Sequence, residues 1–216
     1  DRLLIGHGLT GGVAMAGMFA YISGSPFVFI DLYGVPAEHY GWLFGTNAAG
    51  FVIMAQVNAR LVRRGGPVLW LQRMILVYLL SALSLLVLAW MQPAQLWPLM
   101  VPLFICVACL GCVLPNATAC AMAGQGRHAG SASGLLGSMQ FSVAASASAL
   151  VAWLHDGSAV PMALVIALCG AGACARVCRG RTRLTVCPRA RSPCSRPCTV
   201  SATPLISGGQ VSVTIA

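Results

Sequence analysis

Lysine is absent from this chain of 216 residues, and only four of its residues are acidic. Charged residues make up 8% of the sequence and hydrophobic residues 58%, whereas soluble globular domains carry about 25% charged residues. Such a chain does not have enough polar side chains to cover a water-facing surface. The composition therefore excludes a soluble globular domain and predicts an integral membrane protein.

Long apolar stretches divide the sequence into segments that are long enough to cross a membrane. A helix needs about 20 apolar residues to cross the hydrocarbon core, which is roughly 30 Å thick. Six stretches meet this requirement: Gly8 to Ile30, Tyr40 to Ala59, Val68 to Met91, Leu96 to Met122, Gly130 to Trp153 and Ala159 to Ala175. Residues 1–175 are thus predicted to form an all-α, polytopic unit with six transmembrane helices.

Arginines and acidic residues fall on opposite sides of the predicted membrane. One side holds all thirteen arginines: Arg2, Arg60, Arg63, Arg64, Arg73, Arg127 and seven from Arg176 to Arg196. The other side holds Asp31, Glu38 and Asp156. Because positive residues stay in the cytoplasm, both termini are expected there. The net charge of +9 indicates contact with anionic lipid headgroups rather than with nucleic acid.

The two ends of the chain are unusual. The chain starts at Asp1 rather than at a methionine, so a fragment of a longer protein is expected. Residues 176–216 are rich in arginine, cysteine, proline and serine and have no helical or strand periodicity. Such a segment cannot bury a core, so this tail is predicted to be disordered or to come from an out-of-frame reading of the gene.

Motifs for catalysis and metal binding are scarce. No H-E-x-x-H, G-x-S-x-G or G-x-x-x-x-G-K-[ST] motif occurs. The adjacent pair His155 and Asp156 is more typical of a turn than of a catalytic site. The four cysteines of the tail lack the paired spacing of structural zinc sites, and the cysteines within the spans serve as small apolar residues. The sequence predicts no enzyme, no metal and no cofactor.

Polar side chains within the spans are the candidate functional residues, because an unpaired polar group in hydrocarbon is costly. Such groups face another helix or a water-filled cavity. For each buried amide, hydrogen bonding between helices and contact with a substrate stay open as alternatives. The candidates for a substrate pathway are Tyr21, Ser23, Ser25, Asn47, Asn116 and Gln140.

Glycines and prolines within the spans are candidates for kinks and for close helix packing. Gly24 and Pro26 weaken the first predicted helix, and Pro115 does so in the fourth. In the fifth, small residues recur every four positions from Gly130 and Gly134 onward. Small residues at that interval let helix backbones approach closely.

Several runs of the sequence resemble a known transporter family. They are FAYISGSPFVFIDLYGV from Phe19, GWLFGTNAAG from Gly41, NARLVRRGGP from Asn58, LPNATA from Leu114 and HAGSASGLLGSMQF from His128. These runs are similar to the second half of the bicyclomycin and chloramphenicol resistance (Bcr/CflA) subfamily of the major facilitator superfamily. The resemblance covers about residues 3–174 and implies helices seven to twelve of a twelve-helix bundle.

The resemblance also implies a function. Members export drugs or small metabolites across the bacterial inner membrane in exchange for protons, so the expected partners are membrane lipids, a substrate, protons and an amino-terminal six-helix half. Arg60, Arg63 and Arg64 occupy the place of the superfamily's cytoplasmic loop signature, although Ala59 and Val62 stand where its aspartate and glycine would be. The alternative is a non-transporting membrane fragment or an assembly module whose basic tail binds lipid.

Overall fold

Helices account for all the regular secondary structure in residues 2–123 and 129–181, which are the parts of the chain that the computed structural model describes. α1 spans Arg2–Pro26 and continues as a π-helical turn at Phe27–Leu32. The other helices are α2 (Ala37–Met91), α3 (Trp97–Met122), α4 (Ala129–Trp153) and α5 (Val160–Arg181). The all-α prediction is confirmed for these residues, and five helices are long and apolar enough to cross a membrane.

α2 is interrupted near its middle. Its 55 residues would form a straight helix of about 82 Å at 1.5 Å per residue, far longer than a hydrocarbon core of about 30 Å. Gly66 has a φ of 74° and a ψ of 160°, which is not a helical conformation, and glycine adopts a positive φ without steric cost. Pro67 follows and suits the first turn of a new helix. α2 therefore has a first arm, residues 37–65, and a second arm, residues 67–91.

The first arm runs antiparallel to α1. The hydroxyl groups of Ser25 and Tyr40 are hydrogen-bonded at 3.0 Å. The amide Nδ2 of Asn47 donates to the hydroxyl of Tyr21 at 3.1 Å. Residues later in the first arm thus contact residues earlier in α1, as expected for antiparallel helices.

The second arm runs parallel to α1. Gly17 lies against the side chain of Tyr78, and the hydroxyl of Tyr33 donates to the carbonyl oxygen of Pro93 at 3.1 Å. Residues later in α1 therefore contact residues later in the second arm and in the loop that follows it, as expected for parallel helices. Because the two arms pass α1 in opposite directions, the chain reverses at Gly66.

α4 follows α1 in the same direction, from Leu136 beside Gly8 to His155 beside Phe27. α5 runs the opposite way, with Met162 against Gly24. α1 is thus in contact with both of these helices and with both arms of α2. Its buried side chains form part of one large apolar core with α2, α3, α4 and α5.

The last predicted span ends at Ala175, whereas α5 continues to Arg181. Arginine has a high helix propensity, so the loss of apolar periodicity after Ala175 did not end the helix. The remainder of the predicted tail, residues 182–216, lies outside the described residues, as does Arg127.

Charges separate between the two ends of this bundle. Arg60, Arg63 and Arg64 close the first arm, and Arg73 lies near the start of the second. We call this end the arginine end. The opposite, acidic end holds Asp31, Glu38 and Asp156.

Candidate functional site

Three of the predicted pathway residues come together between α1 and the first arm of α2. Tyr21 and Asn47 are hydrogen-bonded to each other, and Ser25 is bonded to Tyr40 one turn closer to the acidic end. Tyr21, Ser25 and Asn47 are all buried. The pairs tie the two helices together by polar contacts in an otherwise apolar region.

Aromatic rings surround this polar cluster. Tyr21 is stacked on Phe44, with ring centroids 5.6 Å apart and planes 9° apart. The ring centroid of Tyr40 is 5.9 Å from that of Phe44 and 6.0 Å from that of Phe29. The sequence reasoning missed Tyr40 and Phe44. The signal that identifies them is their spacing, since Tyr40, Phe44 and Asn47 recur on one helical face.

One atom of the cluster has no hydrogen-bond partner. The side-chain oxygen Oδ1 of Asn47 is enclosed and unpaired, while Nδ2 of the same amide is bonded to Tyr21. An unpaired buried acceptor costs about 1–3 kcal/mol. The cluster therefore offers a carbonyl oxygen to a group that donates a hydrogen bond, provided that α1 and the first arm separate to admit it.

Ser23 does not join the cluster. It lies between Tyr21 and Ser25 in sequence but is exposed, because a step of two residues turns a helix by about 200°. Its hydroxyl donates to the carbonyl oxygen of Phe19 at 2.9 Å. Ser23 instead lines a cavity of about 70 Å³, together with His155 and other residues of α1, α4 and α5.

Asn116 belongs to a separate contact. Its Nδ2 donates to Oδ1 of Asn58 at 2.8 Å, and Nδ2 of Asn58 donates back to Oδ1 of Asn116 at 3.2 Å. Both amides are buried, and α3 continues through the adjacent Pro115. This reciprocal pair joins the first arm to α3 near the arginine end. Asn58 was not among the predicted site residues, although it lies in one of the runs that carry the family resemblance.

Gln140 lies on the interface between α1 and α4. Its amide Nε2 is enclosed and has no partner. A side chain added at Gly11 would place its Cβ 2.7 Å from that nitrogen, and one added at Gly12 would meet the Gln140 backbone. Gly11 thus makes room for Gln140, whereas a Cβ at Gly12 would be in ordinary van der Waals contact with it. Gln140 is apart from the Tyr21 and Asn47 cluster.

The glycines singled out from the sequence have different surroundings. A Cβ added at Gly24 would lie 2.8 Å from Met162, so this glycine lets α5 approach α1. Around Gly130 and Gly134 there is open space, without a neighbour within 4 Å among the described residues. Close helix packing at Gly130 and Gly134 stays a prediction, because it needs a partner from outside the described residues. A contact that the sequence did not reveal lies at Gly111, where an added Cβ would meet the backbone carbonyl oxygen of Phe51.

Gly130 and Gly134 begin a stripe of exposed small residues on α4. It consists of Gly130, Gly134, Ser138, Ser142 and Ser146, which we call the small-residue stripe. The hydroxyl groups of its serines donate to carbonyl oxygens one turn earlier in α4, at 2.8–3.1 Å. The stripe is therefore a shallow surface whose polar groups are already satisfied.

The second arm presents a different exposed surface. Leu76, Leu80, Leu83 and Val87 project from it and are between 44% and 68% exposed. We call this set the leucine stripe. Large apolar side chains at this exposure are typical of a surface that faces lipid.

The arginines of the predicted cytoplasmic loop are exposed at the end of the first arm. Arg60, Arg63 and Arg64 have no ion-pair partner among the described residues, and the three acidic residues described lie at the other end of the bundle. These arginines are also near the C-terminal end of a helical segment, where positive charge is favourable. A gating ion pair at this loop has no carboxylate partner within the described parts.

At the acidic end, Asp156 is held in a turn. Its carboxylate accepts hydrogen bonds from the hydroxyl and the backbone N–H of Ser158, at 2.7 Å and 3.0 Å. These bonds hold the pKa of Asp156 below its usual value. The neighbouring His155 ring meets Phe27 edge-to-face. This arrangement fits the turn that the sequence indicated for the His155 and Asp156 pair.

Five cysteines of the helices are buried, namely Cys106, Cys109, Cys112, Cys120 and Cys169, and Cys174 is partly buried. Cys106 donates to the carbonyl oxygen of Tyr78 at 3.8 Å, and Cys112 donates to that of Met54 at 3.4 Å. Within residues 2–123 and 129–181, no three ligand side chains are grouped in a way that suits a metal ion. The cysteines predicted to lie in the tail after Cys178 are outside these ranges.

Comparison with known proteins identifies relatives of this chain. It is 34% identical over 169 residues to YdgK of Bacillus subtilis, an uncharacterized MFS-type transporter, with 77% of this chain and 41% of the relative covered. It is 27% identical over 169 residues to a bicyclomycin resistance protein homolog of Haemophilus influenzae, with 78% and 42% covered. The chain thus spans about two fifths of the length of the curated relatives that it matches.

No protein-family model matches the chain, and no solved structure matches it. The resemblance drawn from the sequence runs is nevertheless confirmed by the two relatives, each of which matches 169 residues. The helices described above have the length and apolar character that such a relationship requires. Over about 77% of its length, the chain is homologous to an MFS-type transporter and to a bicyclomycin resistance protein homolog.

Proposed function

We propose that this chain forms the second, six-crossing half of a multidrug efflux transporter of the bacterial inner membrane. In this proposal α2 crosses the membrane twice, both termini are cytoplasmic, and the transporter exports drugs or small metabolites in exchange for protons. The observation that carries the proposal is the homology to an MFS-type transporter over 169 residues.

The reversal of the chain at Gly66 supports six crossings. With two arms in α2, the segments alternate in direction, and the first and last described residues come to the arginine end. The retention of positive residues in the cytoplasm makes that end cytoplasmic. None of the six predicted spans carries an acidic residue in its interior, so we assign proton coupling to the other half of the transporter.

The small-residue stripe supports a partner half. Relatives extend over more than twice the length matched here, and Gly130 and Gly134 of the stripe face open space, without a neighbour within 4 Å in the described chain. We assign the other half to this surface, because small residues let helices approach closely. The substrate path would then be lined by the predicted residues Tyr21, Ser23, Ser25, Asn47, Asn116 and Gln140.

Efflux measurements test the proposal. Bacteria that lack their own exporters are loaded with a fluorescent cationic drug and express this chain alone, or together with the amino-terminal half of the Bacillus subtilis relative. We expect efflux only in the paired cells, and we expect a protonophore to abolish it. Membrane insertion is checked in both strains by resistance to alkaline carbonate.

Two results would overturn parts of the proposal. Insertion without efflux in either strain would favour the alternative of a non-transporting fragment or an assembly module. Efflux that persists in the presence of the protonophore would contradict proton antiport but would retain the export function.

A further inference from the structure

Four of the five tryptophans are on the outside of the bundle at its acidic end. They are Trp42, Trp90, Trp97 and Trp153, which are 78%, 74%, 69% and 82% exposed. Each belongs to a different segment, namely the first arm, the second arm, α3 and α4. We call these four residues the tryptophan belt.

Contacts with α1 place the belt at a common level. α1 meets Tyr40 at Ser25 and His155 at Phe27. Tyr40 and His155 are each two positions from a belt tryptophan. The end of α1 is also hydrogen-bonded to the loop between the second arm and α3, and the other two belt tryptophans flank that loop. The four indole rings therefore lie at one level, at the acidic end of the bundle.

The distance from the belt to the arginine end matches a membrane. At 1.5 Å per residue, Trp42 and Arg60 are separated by about 27 Å along the first arm, and Arg73 and Trp90 by about 26 Å along the second. The hydrocarbon core of a bilayer is about 30 Å thick. Arginine reaches further toward the headgroups by extending its aliphatic stem, so the two levels correspond to the two boundaries of one bilayer.

We propose that the tryptophan belt binds the phospholipid headgroup boundary on the side opposite the arginines and sets the depth of the protein in the bilayer. Indole rings favour this boundary because the ring is apolar while its N–H donates a hydrogen bond. The belt N–H groups have no partner in the parts of the chain described, so lipid ester and phosphate oxygens are their acceptors. This inference rests only on the membrane insertion within the proposed function and not on transport.

The fifth tryptophan has a different environment. Trp70 lies at the arginine end, where the guanidinium group of Arg73 is 5.5 Å from its ring centroid. Its indole nitrogen is enclosed. Trp70 is therefore a natural reference, because it belongs to the opposite level and its N–H is shielded from lipid.

Fluorescence quenching by brominated lipids tests the belt. The full 216-residue chain is prepared in versions that retain a single tryptophan, with Phe at the other four positions, and each is reconstituted in phosphatidylcholine vesicles. The lipids carry bromine either near the headgroup or near the chain end. For each belt tryptophan we expect at least about twofold stronger quenching by bromine near the headgroup.

A matched control comes from the leucine stripe. Leu80→Trp in a tryptophan-free background places an indole on the second arm about 15 Å from the level of Trp90, and here we expect bromine near the chain end to quench more strongly. The belt is contradicted if any of its members gives the pattern of Leu80→Trp, or is quenched by aqueous iodide and by neither lipid.

The unsubstituted chain gives a second test that does not depend on any variant. Because four of its five emitters belong to the belt, bromine near the headgroup should quench the total emission more than bromine near the chain end. The reverse order would overturn the inference. If that reverse order is found but the paired cells still show efflux, the tryptophan belt is wrong and the proposed function stands.

Discussion

The small-residue stripe of α4 and the leucine stripe of the second arm are both exposed, yet their chemistry is opposite. The residues of the stripe on α4 are glycines and serines, and the serine hydroxyl groups are bonded within the helix. Those of the stripe on the second arm are leucines and a valine. In a membrane, lipid tails and leucines are equally apolar, so shape and small residues promote helix association. The difference therefore separates a surface suited to another helix from one suited to lipid.

The largest expected difference between the stripes comes from introducing a charge. Leu80→Arg places a guanidinium in the middle of the leucine stripe, which should cost about 3 kcal/mol of insertion free energy and deplete the protein from carbonate-washed membranes. Ser142→Arg is at a similar depth on α4, because Ser142 precedes Trp153 by about as many residues as Leu80 precedes Trp90. If that stripe faces a partner or a water-lined path in the paired transporter, we expect Ser142→Arg to insert but to lose efflux. Equal depletion of both variants would show that both stripes face lipid.

Substituting alanine for a glycine distinguishes a glycine that lies against another helix from one that faces open space. Gly111→Ala forces a Cβ against the Phe51 carbonyl oxygen, and we expect the free energy of unfolding to fall by about 1–3 kcal/mol. Gly134→Ala meets open space and should raise helix stability by up to about 1 kcal/mol. Unfolding in detergent with increasing denaturant measures both. A loss of stability in isolated Gly134→Ala would mean that the stripe is already packed in this chain.

Two exposed serines provide a comparison with the same chemistry on both surfaces. Ser138 on α4 and Ser84 on the second arm each donate a hydrogen bond to a carbonyl three residues earlier, at 3.0 Å and 2.8 Å. We expect Ser138→Leu to reduce efflux in the paired cells about tenfold by blocking close helix approach. Ser84→Leu should change efflux less than about twofold, since a leucine side chain in contact with lipid is energetically favourable. Similar efflux in the two variants would argue against a partner at the small-residue stripe.

The smallest effect concerns the interior contact between the first arm and α3. Asn58→Leu and Asn116→Leu each leave one amide unpaired, whereas the double variant removes both. We expect a coupling energy of about 0.6 kcal/mol and at most about 1.7 kcal/mol, as for other hydrogen bonds between membrane helices. A double-mutant cycle on unfolding measures it. A coupling energy of zero would mean that the reciprocal pair does not hold these helices together, whichever surface the first arm presents.

The helices themselves were largely predictable from the sequence. Apolar runs of more than 20 residues can hardly avoid forming membrane helices, because backbone groups in lipid must be bonded internally. The predicted spans therefore agree with the helices to within a few residues at most ends, with the second and third spans both lying within the single helix α2. The exceptions are the start of α1 at Arg2 rather than Gly8, the end of the first arm at residue 65 rather than 59, and the end of α5 at Arg181 rather than Ala175. Hydropathy measures burial in lipid and not helix propensity.

The site was predictable only in part. The sequence identified Tyr21, Ser25 and Asn47 as polar residues within spans, and these residues are neighbours in the structure. It grouped Ser23 with them, although helix geometry turns Ser23 to the other side. Whether a buried amide meets another amide, as Asn116 does, or an aromatic hydroxyl, as Asn47 does, depends on which helix lies opposite. That information is not present in the pattern of any single span.

The sequence by itself determined that this chain is a bundle of membrane helices with its charges divided between two ends, because hydropathy and charge act through the solvent and not through particular contacts. The tertiary structure decided which side of each helix is covered. Gly24 and Gly111 lie against neighbouring helices, whereas Gly130 and Gly134 face open space, although all four are glycines in apolar helices. The physical reason is that close packing depends on the shape of the opposite helix as much as on the small residue itself.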